Sequence, residues 1–578
     1  MPHRKKDRLS IERRASAPEA DPLRLGTGWT KSDLDKPWAL IECAGGDSHP
    51  CAVHLPELAR AVRDGIIEAG GAPAIYHCTD MCDGIAQGTE AMNYSLASRE
   101  VLAMASELHA RTGHFDCVVF ISGCDKSVPA HLIAAARLRM PALLMPGGVM
   151  QPGPSEMTLD MVGTHYSRLK RRKMTKKEYQ FYSEHACPTA GSCAFLGTAN
   201  TMQILAEALG MALPGSALLP AGYMMQIRMA RRTGKSALTL FDKRITADKI
   251  ITQSAIENAV VVHAAIGGST NALLHLPAIA HELGLKFSLE MVSEINNRVP
   301  HILNVRPSGM HPTSLIWAAG GVPAILRELS RYVHLDALTV TGETVGQNLA
   351  DLEREGYFQN IPRFLENYSL GTIDIIRPVT DPLSETGGIA VLRGNIAPDG
   401  AVMKRSAVVK EMLKFAGRAR VFDVAEKALK AIYQKEIKPG DALVIRYQGP
   451  RSNGMPELFY ITEAISSDKT LNRNVALITD GRFSGGSKGP CIGHVSPEAA
   501  DRGPIAVIED GDRILIDVEI GRLDLIGTGE REHTPTQVKR ILKKRLEKLP
   551  EYKPPERAGL LGLYTGRCAA AHLGAYLR

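Results

Sequence analysis

The sequence predicts an α/β protein with two parts: a parallel sheet covered by helices, then a mainly β domain. From residue 37 to 385, apolar strand-like runs alternate with amphipathic helical stretches, which is the pattern of strand–helix–strand units. After residue 385, short β-rich runs are broken by Gly, Pro and Asp, as in barrel-like β domains. A chain of 578 residues is also too long for one ordinary hydrophobic core.

The individual elements follow in chain order. Residues 1–36 carry no apolar pattern and are interpreted as a flexible N-terminal arm. Within residues 37–385, "FDCVVFISG", "PAHLIAAARLR" and "MPALLMPGG" predict a strand, a helix and a second strand. The helical run "TANTMQILAEALGMAL" stops at a Pro-Gly pair. Within residues 386–578, "DALVIRYQGP" and "NVALITDGRFSGG" predict strands of the second domain.

Composition excludes several classes of protein. With 44% hydrophobic and 23% charged residues, the chain resembles a globular enzyme, and it has no apolar run long enough for a membrane span. The first residues lack the apolar core of a signal peptide, and ten cysteines make no disulfide framework, so we expect a reducing, cytoplasmic location. A net charge of +7 with 5% aromatic residues gives no reason to expect nucleic-acid binding.

Three cysteines stand in glycine-containing loops at the ends of predicted elements. Cys51 precedes a helix in "SHPCAVHL", Cys124 follows a strand in "SGCDKS", and Cys193 precedes a helix in "GSCAFLGTAN". Their separations of 73 and 69 residues match no zinc finger or local ferredoxin motif, so any metal site would be assembled by the fold. Three thiolates would leave an iron–sulfur cluster one ligand short, with an open position for a Lewis acid. The alternative, a small buried hydrophobic residue, suits Cys117 within its strand.

A second set of candidates consists of acids in or beside glycine-containing loops. Asp83, Asp125 and Glu457 offer the oxygen ligands that Mg²⁺ prefers. Turn formation or helix capping is the alternative for each of them. Glu90 is a further acid nearby for which the sequence gives no role.

Ser484 in "ITDGRFSGGSKG" follows a predicted strand and precedes two glycines, whose amides can stabilise an anion. A serine activated in this way could act as a base, although free serine is a poor one. The stretch does not match the Gly-x-Ser-x-Gly nucleophile motif, because residue 482 is Arg. A plain glycine-rich turn is the alternative.

Taken together, these stretches resemble the IlvD/Edd family of dehydratases, which contains dihydroxy-acid dehydratases and sugar-acid (aldonate) dehydratases. The resemblance covers residues from about 37 to 570 and rests on motifs in the same order along the chain: "HPCAVHLPELA", "DGIAQGTEAMNYSLASRE", "GCDKSVPA", "GSCAFLGTANTMQILAEALGMALPGSA", "AAIGGSTNALLHLPAIA", "RPSG", "GGIAVLRGNIAPDGAVMK", "GPRSNGMPEL" and "TDGRFSGGSKGPCIGHVSPEAA".

The resemblance implies a role for each candidate. Cys51, Cys124 and Cys193 would hold a [2Fe–2S] cluster, or alternatively a [4Fe–4S] cluster. Mg²⁺ would be held by the residues that match the family's magnesium ligands, namely Asp83, Asp125, Glu457 and a carbamylated Lys126. Ser484 would be the general base that removes the C2 proton of a 2,3-dihydroxy carboxylate, yielding a 2-keto-3-deoxy acid. Soft thiolates for iron and hard oxygens for Mg²⁺ explain why Cys124 and Asp125 are adjacent.

The resemblance also implies an N-terminal three-layer α/β/α domain, a C-terminal β-barrel-like domain, and a homodimer or homotetramer. The substrate expected first is a sugar acid or a broad range of 2,3-dihydroxy acids, since Ala52 departs from the common Cys-Asn-x-His-Leu motif. The alternative is a dihydroxy-acid dehydratase of branched-chain amino-acid synthesis. A non-catalytic iron–sulfur electron carrier or sensor is the remaining hypothesis, and it would leave the acids and Ser484 unexplained.

Overall fold

The computed structural model describes residues 8–78 and 80–578. Thirteen strands lie in this described part of the chain: β1 Trp38–Cys43, β2 Ala72–His77, β3 Cys117–Ser122, β4 Ala142–Pro146, β5 Ala390–Leu392, β6 Gly400–Met403, β7 Lys414–Phe422, β8 Asp441–Ile445, β9 Ala476–Thr479, β10 Cys491–Ser496, β11 Asp512–Asp517, β12 Arg522–Thr528 and β13 Arg531–Glu532.

The α-helices of the described residues connect and cover these strands: α1 Leu9–Ser16, α2 Ala20–Leu25, α3 Lys31–Leu34, α4 Leu55–Glu68, α5 Asp83–Ala86, α6 Ser95–Thr112, α7 Ser127–Leu138, α8 Leu159–Lys170, α9 Lys176–His185, α10 Thr198–Ala208, α11 Met224–Lys243, α12 Ala247–Ile250, α13 Gln253–Ile266, α14 Ala272–Glu282, α15 Leu289–Arg298, α16 Ser314–Ala318, α17 Gly321–Glu328, α18 Val345–Arg354, α19 Tyr357–Asn360, α20 Thr372–Ile375, α21 Ala425–Tyr433, α22 Pro450–Asn453, α23 Phe459–Ser466, α24 Pro535–Lys548 and α25 Gly559–Arg567.

The first sheet has the strand order β2-β1-β3-β4 and is parallel throughout. Every residue of β1 and β3 is buried, which requires cover on both faces of the sheet. Helices α4 and α11 pack together on one side, and α6 and α7 pack on the other, as right-handed crossovers dictate for this strand order. The predicted three-layer α/β/α domain with a parallel sheet is therefore confirmed.

The second sheet has nine strands in the order β13-β12-β11-β7-β8-β9-β10-β6-β5. Strands β7, β8, β9 and β10 are parallel to one another, and all other pairings in this sheet are antiparallel. Arg393, just after β5, bridges to Arg522 at the start of β12, which curls the sheet almost into a closed ring. The barrel-like C-terminal domain is therefore confirmed. Its predicted boundary between residues 385 and 386 stays a prediction.

The predicted N-terminal arm, residues 1–36, lies partly outside the described residues, which begin at residue 8. Its described part forms α1, α2 and α3. Ser10 is hydrogen-bonded to Asp116 through both its amide and its hydroxyl, at 2.9 and 2.7 Å, and Asp116 also accepts from the Trp38 amide at 2.8 Å. The flexibility of this arm stays a prediction, while its described part contacts the first sheet directly.

In the described part of the chain, no helix combines the length and the apolar character needed to cross a membrane.

Candidate active site

A cavity of about 380 Å³ lies where the carboxyl ends of β2 and β3 face the second sheet. The carboxyl ends of parallel strands are the usual place for ligand sites in α/β folds. Seven of the eight predicted site residues line it: Cys51, Asp83, Cys124, Asp125, Cys193, Glu457 and Ser484. The eighth, Lys126, is fully buried directly behind the wall, with Nζ 2.7 Å from Asp83 Oδ2. The fold thus brings together residues more than 400 positions apart in sequence.

The three predicted thiols come from three loops of the first domain. Cys51 lies in the turn before α4, Cys124 follows β3, and Cys193 lies in the loop before α10. The sulfur atoms of Cys51 and Cys124 are within 4.8 Å of each other. Gly123 permits this approach, because a Cβ at that position would lie 3.2 Å from the Cys51 carbonyl oxygen.

The pKa values of all three thiols lie above the ordinary value of a cysteine. The hydrogen bond with Cys124 lowers the pKa of Cys51, but burial and neighbouring groups outweigh it and raise the value to about 12. A hydrogen bond with Cys51 raises the pKa of Cys124 well above the ordinary value, and burial does the same for Cys193. A metal that binds here must therefore displace protons from the thiols.

The three predicted acids meet on the other side of the same cavity. One carboxylate oxygen from each of Asp83, Asp125 and Glu457 lies within 4.8 Å of the other two. Burial raises the pKa of Asp125 to about 7, against the opposing charge of Lys126. Burial would also raise the pKa of Asp83, but the charges of Lys126 and Arg482 outweigh it and hold the value below the ordinary one. This oxygen-only set is suited to a hard cation such as Mg²⁺.

Arg482 joins the two halves of the site, a role that the sequence analysis missed. Its fully buried guanidinium donates to Glu457 Oε1 at 2.7 Å and to Ser95 Oγ at 2.7 Å, and it lies 3.4 Å from Asp83 Oδ2. Asn271 Nδ2 also donates to Glu457 Oε1 at 2.7 Å. The only sequence signal for Arg482 is its position two residues before Ser484.

Ser484 is half-buried in the loop after β9. The Gly486 amide donates to Ser484 Oγ at 3.3 Å, which favours a negative charge on that oxygen. The loop packs tightly against the loop of Cys193, since a Cβ on Gly485 would lie 2.8 Å from the Gly197 Cα. Lys404 Nζ anchors the loop by donating to the Gly485 carbonyl oxygen at 3.1 Å, and burial lowers the pKa of this lysine to about 7.

Two further side chains near the thiols have no counterpart in the sequence analysis. Cys82 lines the cavity, and the neighbouring Cys124 thiol together with burial raises the pKa of the Cys82 thiol. His49 is only 4% exposed, and neither of its ring nitrogens has a hydrogen-bond partner among the described residues. One of these nitrogens lies within 4.8 Å of the sulfur atoms of Cys51 and Cys124. Glu90, by contrast, is exposed and does not line this cavity.

Comparison with known proteins supports the resemblance seen in the motifs. The family model described as dihydroxy-acid/6-phosphogluconate dehydratase N-terminal matches residues 36–348, and the C-terminal model of the same family matches residues 374–575.

Relatives are similar over nearly the whole chain. A dihydroxy-acid dehydratase of Acetivibrio thermocellus is 43% identical, with 95% of this chain and 96% of the relative covered. One of Ignicoccus hospitalis is 42% identical, covering 97% and 98%. Dihydroxy-acid dehydratase 1 of Methanosarcina acetivorans is 43% identical, covering 88% and 90%. The chain therefore belongs to the dihydroxy-acid/6-phosphogluconate dehydratase family and is a hydro-lyase.

Proposed function

We propose that this hydro-lyase converts branched-chain 2,3-dihydroxy acids, such as 2,3-dihydroxyisovalerate, to the corresponding 2-keto acids. The observation that carries the proposal is one cavity lined by the three thiols, the three carboxylates and Ser484. A reaction that removes a proton from C2 and a hydroxyl from C3 needs a base for the proton, a Lewis acid for the hydroxyl and a cation for the substrate carboxylate, all close together.

The thiols fit an iron–sulfur cluster and the acids fit Mg²⁺. Cys51, Cys124 and Cys193 would hold the cluster, [2Fe–2S] or alternatively [4Fe–4S], because all three line the same cavity although they come from separate loops. When bound, the cluster supplies a Lewis acid for the departing hydroxyl and Mg²⁺ supplies positive charge for the substrate carboxylate. The separations of these three cysteines match no zinc-finger spacing.

Lys126 fits the carbamate that the family resemblance implies. Its Nζ lies 2.7 Å from Asp83 and 3.9 Å from Asp125, so it supplies positive charge to both acids. Carbamylation would exchange one positive charge for one negative charge, and Mg²⁺ would bring two positive charges. The net charge of this buried group would thus stay constant, which avoids the high cost of an unbalanced buried charge.

Ser484 Oγ would take the proton from C2 of the substrate, with the Gly486 amide stabilising the alkoxide at 3.3 Å. Lys404 would keep the loop in place through the Gly485 carbonyl. Loss of the C3 hydroxyl then gives an enol, which becomes the 2-keto acid when C3 takes up a proton. Arg482 and Asn271 would hold Glu457 in position for Mg²⁺ throughout.

The substrate expectation needs a correction. The sequence favoured sugar acids, whereas the relatives at 41–43% identity are named dihydroxy-acid dehydratase and support the alternative. The cavity supports it as well, because its lining includes apolar side chains: Leu159, Val162, Phe195 and Phe459. An alkyl substituent gains from such a wall, while the hydroxyls of a sugar acid would lose hydrogen bonds to water there.

The test is 2-keto-acid formation by anaerobically purified protein with Mg²⁺, on 2,3-dihydroxyisovalerate and on gluconate, arabinonate, xylonate and galactonate. We expect kcat/KM for the branched substrate to exceed that for any aldonate by at least about tenfold, the discrimination available to an apolar pocket. A preference for an aldonate would contradict the proposal. Activity on none of them, with the cluster intact, would favour the electron-carrier hypothesis. The cytoplasmic location and the homodimer or homotetramer stay predictions.

A further inference from the structure

The lining of the active-site cavity includes a fourth acid, which the proposed mechanism does not use. Asp160 lines the cavity together with Asp83, Asp125 and Glu457. It is not part of the cluster that those three acids form, in which the carboxylate oxygens lie within 4.8 Å of one another. Asp160 lies instead in the first turn of helix α8. The cavity therefore contains one carboxyl group that the proposed Mg²⁺ site leaves unassigned.

The Asp160 carboxyl group is buried, and one of its oxygens has no hydrogen bond. The residue is only 2% exposed, and Oδ1 accepts a hydrogen bond from the Thr158 hydroxyl. Oδ2 has no hydrogen-bond partner among the described residues. An acid in the first turn of a helix interacts favourably with the helix dipole, but an exposed acid gains this effect without the cost of burial. Because an unpaired buried oxygen is destabilising, a role in the chemistry of the cavity explains Asp160 better than a structural one.

Two contacts place Asp160 between the loop of Ser484 and the solvent. It packs against Gly486, since a Cβ on that glycine would lie 3.5 Å from the Asp160 Cβ, and the Gly486 amide donates to Ser484 Oγ. Lys488 Nζ lies 3.8 Å from Asp160 Oδ2. The Lys488 side chain is 40% exposed and lines a separate cavity of about 350 Å³, which shares no lining residue with the active-site cavity. A proton from water can thus reach Asp160 through Lys488 without crossing the substrate site.

The proposed reaction needs a proton donor that none of the assigned residues supplies. After the C3 hydroxyl has left, the enol becomes a keto acid only when C3 takes up a proton. The three clustered acids would be bound to Mg²⁺, so they are poor donors. Burial raises the pKa of Tyr179 and of Tyr460, which also line the cavity, and this makes both phenols weaker acids. Asp160 is the carboxyl group in the lining that has no other assigned role.

We infer that Asp160 is the general acid that protonates C3 of the enol, and that Lys488 returns a proton to it from solvent. The inference rests on the proposed function, because it supplies the donor for that reaction. The distance of 3.8 Å from Lys488 to Asp160 is longer than a hydrogen bond, and such distances commonly shorten when substrate is bound.

The protons balance over one turnover, and no electron is transferred. The new C–H bond at C3 forms from the π electrons of the enol and the proton of the Asp160 carboxyl group. The enol O–H proton joins the hydroxide released from C3 and gives water. The Asp160 carboxylate takes a proton from the Lys488 ammonium, which regains one from water. The proton that Ser484 removed from C2 passes to water, so both side chains return to their starting states.

The experiment uses 2,3-dihydroxy-3-methylpentanoate, because C3 of its keto product is a stereocentre. Anaerobically purified wild type is compared with Asp160→Asn, Asp160→Glu and Lys488→Met, and Glu463→Gln is the matched control. Glu463 is also a buried acid, and it accepts from Thr164 of helix α8, but it does not line the cavity. Chiral chromatography gives the ratio of the two product enantiomers. Product incubated alone corrects for spontaneous loss of stereochemistry.

We expect a single enantiomer from the wild type and from Glu463→Gln. Asp160→Asn should give nearly equal amounts of both, because C3 protonation on the enzyme slows by about 10²- to 10⁴-fold and the enol is protonated in water instead. Substrate should still be consumed, since C2 deprotonation and hydroxyl loss come earlier. Asp160→Glu should recover part of the enantiomeric excess. Lys488→Met should keep the excess and lower kcat, because it affects only the return of the proton.

Two measurements on the wild type can overturn the inference without any variant. One is the formation of both enantiomers, which would mean that no group of the enzyme protonates C3. The other is deuterium at C3 of the product from substrate labelled at C2, which would mean that Ser484 returns the proton it removed. A full enantiomeric excess at full rate in Asp160→Asn would also overturn it. Loss of the excess in Tyr166→Phe alone would favour a phenol as the donor.

Failure of the proposed function has a different result. An enzyme that dehydrates only aldonates would contradict the branched-chain substrate, but its keto product carries two hydrogens at C3. In D₂O the wild type should then place deuterium at one of these two positions, and Asp160→Asn at both. That outcome would uphold the role of Asp160 although the proposed substrate is wrong, and random placement by the wild type would overturn both proposals.

Discussion

The two sheets contribute differently to the site. The domain of the parallel sheet carries every candidate thiol together with Asp83, Asp125 and Lys126. The curled mixed sheet supplies Glu457 and Ser484. The groups that would bind the cluster therefore all belong to one domain, while the proposed base belongs to the other. This difference suggests that cofactor binding and turnover can be separated by mutation, with Arg482 as the link between them.

The largest effect is expected where the cluster itself is removed. Cys193→Ala should leave the proposed cluster with two ligands from the original three, so that both iron content and dehydration are lost. Iron and sulfide analysis after anaerobic purification measures the first, and keto-acid formation the second. Cys117→Ala, in strand β3 of the same domain, is the control and should keep both. A Cys193→Ala protein with full iron content would contradict the cysteine assignment.

On the other sheet, Ser484→Ala should lower kcat by about 10³-fold, within the range known for loss of a general base. The cluster spectrum and the Mg²⁺ affinity should be unchanged, because Ser484 belongs to neither proposed ligand set. Ser487→Ala, three residues along the same loop, is the control and should stay within a few-fold of wild type. If Ser484→Ala retains full activity, Ser484 is not the base.

The link between the domains is tested by Arg482→Met. This change removes the donor to Glu457 and the positive charge beside Asp83, and outer-sphere partners of this kind are worth about 10- to 100-fold in metal affinity. Calorimetric titration with Mg²⁺ measures the loss, and cluster iron should remain. Arg451→Met, at a half-exposed arginine of the same domain, should have no effect. Loss of iron from Arg482→Met would mean that the two halves are not separable.

The smallest predicted effect is that of pH on Mg²⁺ binding. Burial raises the pKa of Asp125 to about 7, so below that pH the carboxyl carries a proton that the metal must displace. Because Mg²⁺ must displace this one proton, its affinity should be about tenfold weaker at pH 6 than at pH 8. Calorimetric titrations with Mg²⁺ at pH 6 and pH 8 should show this difference in affinity. Asp125→Asn should bind Mg²⁺ weakly at both pH values, with no difference between them. Equal affinity at pH 6 and pH 8 in the wild type would contradict it.

The sequence predicted most of the fold because its signals are local. Buried strands such as Cys117–Ser122 are continuous apolar runs, and the change of pattern after residue 385 is visible without any partner. The candidate site residues were predicted through motifs, which preserve their order along the chain. Seven of them do line one cavity, although their roles stay proposals.

The sequence analysis missed Cys82, His49 and Arg482, because the surroundings of each one are formed by residues that are distant in the sequence. The importance of Arg482 depends on Asp83, which lies 399 residues earlier in the chain. Likewise, the residues next to Cys82 in the sequence do not show that the fold places it in the same cavity as Cys124. The sequence favoured a sugar acid because the apolar lining that supports the branched-chain proposal combines Leu159 and Val162 with Phe459 from the other domain.

The bridge from Arg393 to Arg522 has a consequence for self-association. It ties the strand at one end of the nine-stranded sheet to a strand near the opposite end, so that few backbone amides and carbonyls there are left for another chain to pair with. Unprotected edges are the usual templates for intermolecular strand addition and aggregation. Subunits of the expected homodimer or homotetramer should therefore meet through helices and side chains, and this sheet should remain inert towards β-type assembly.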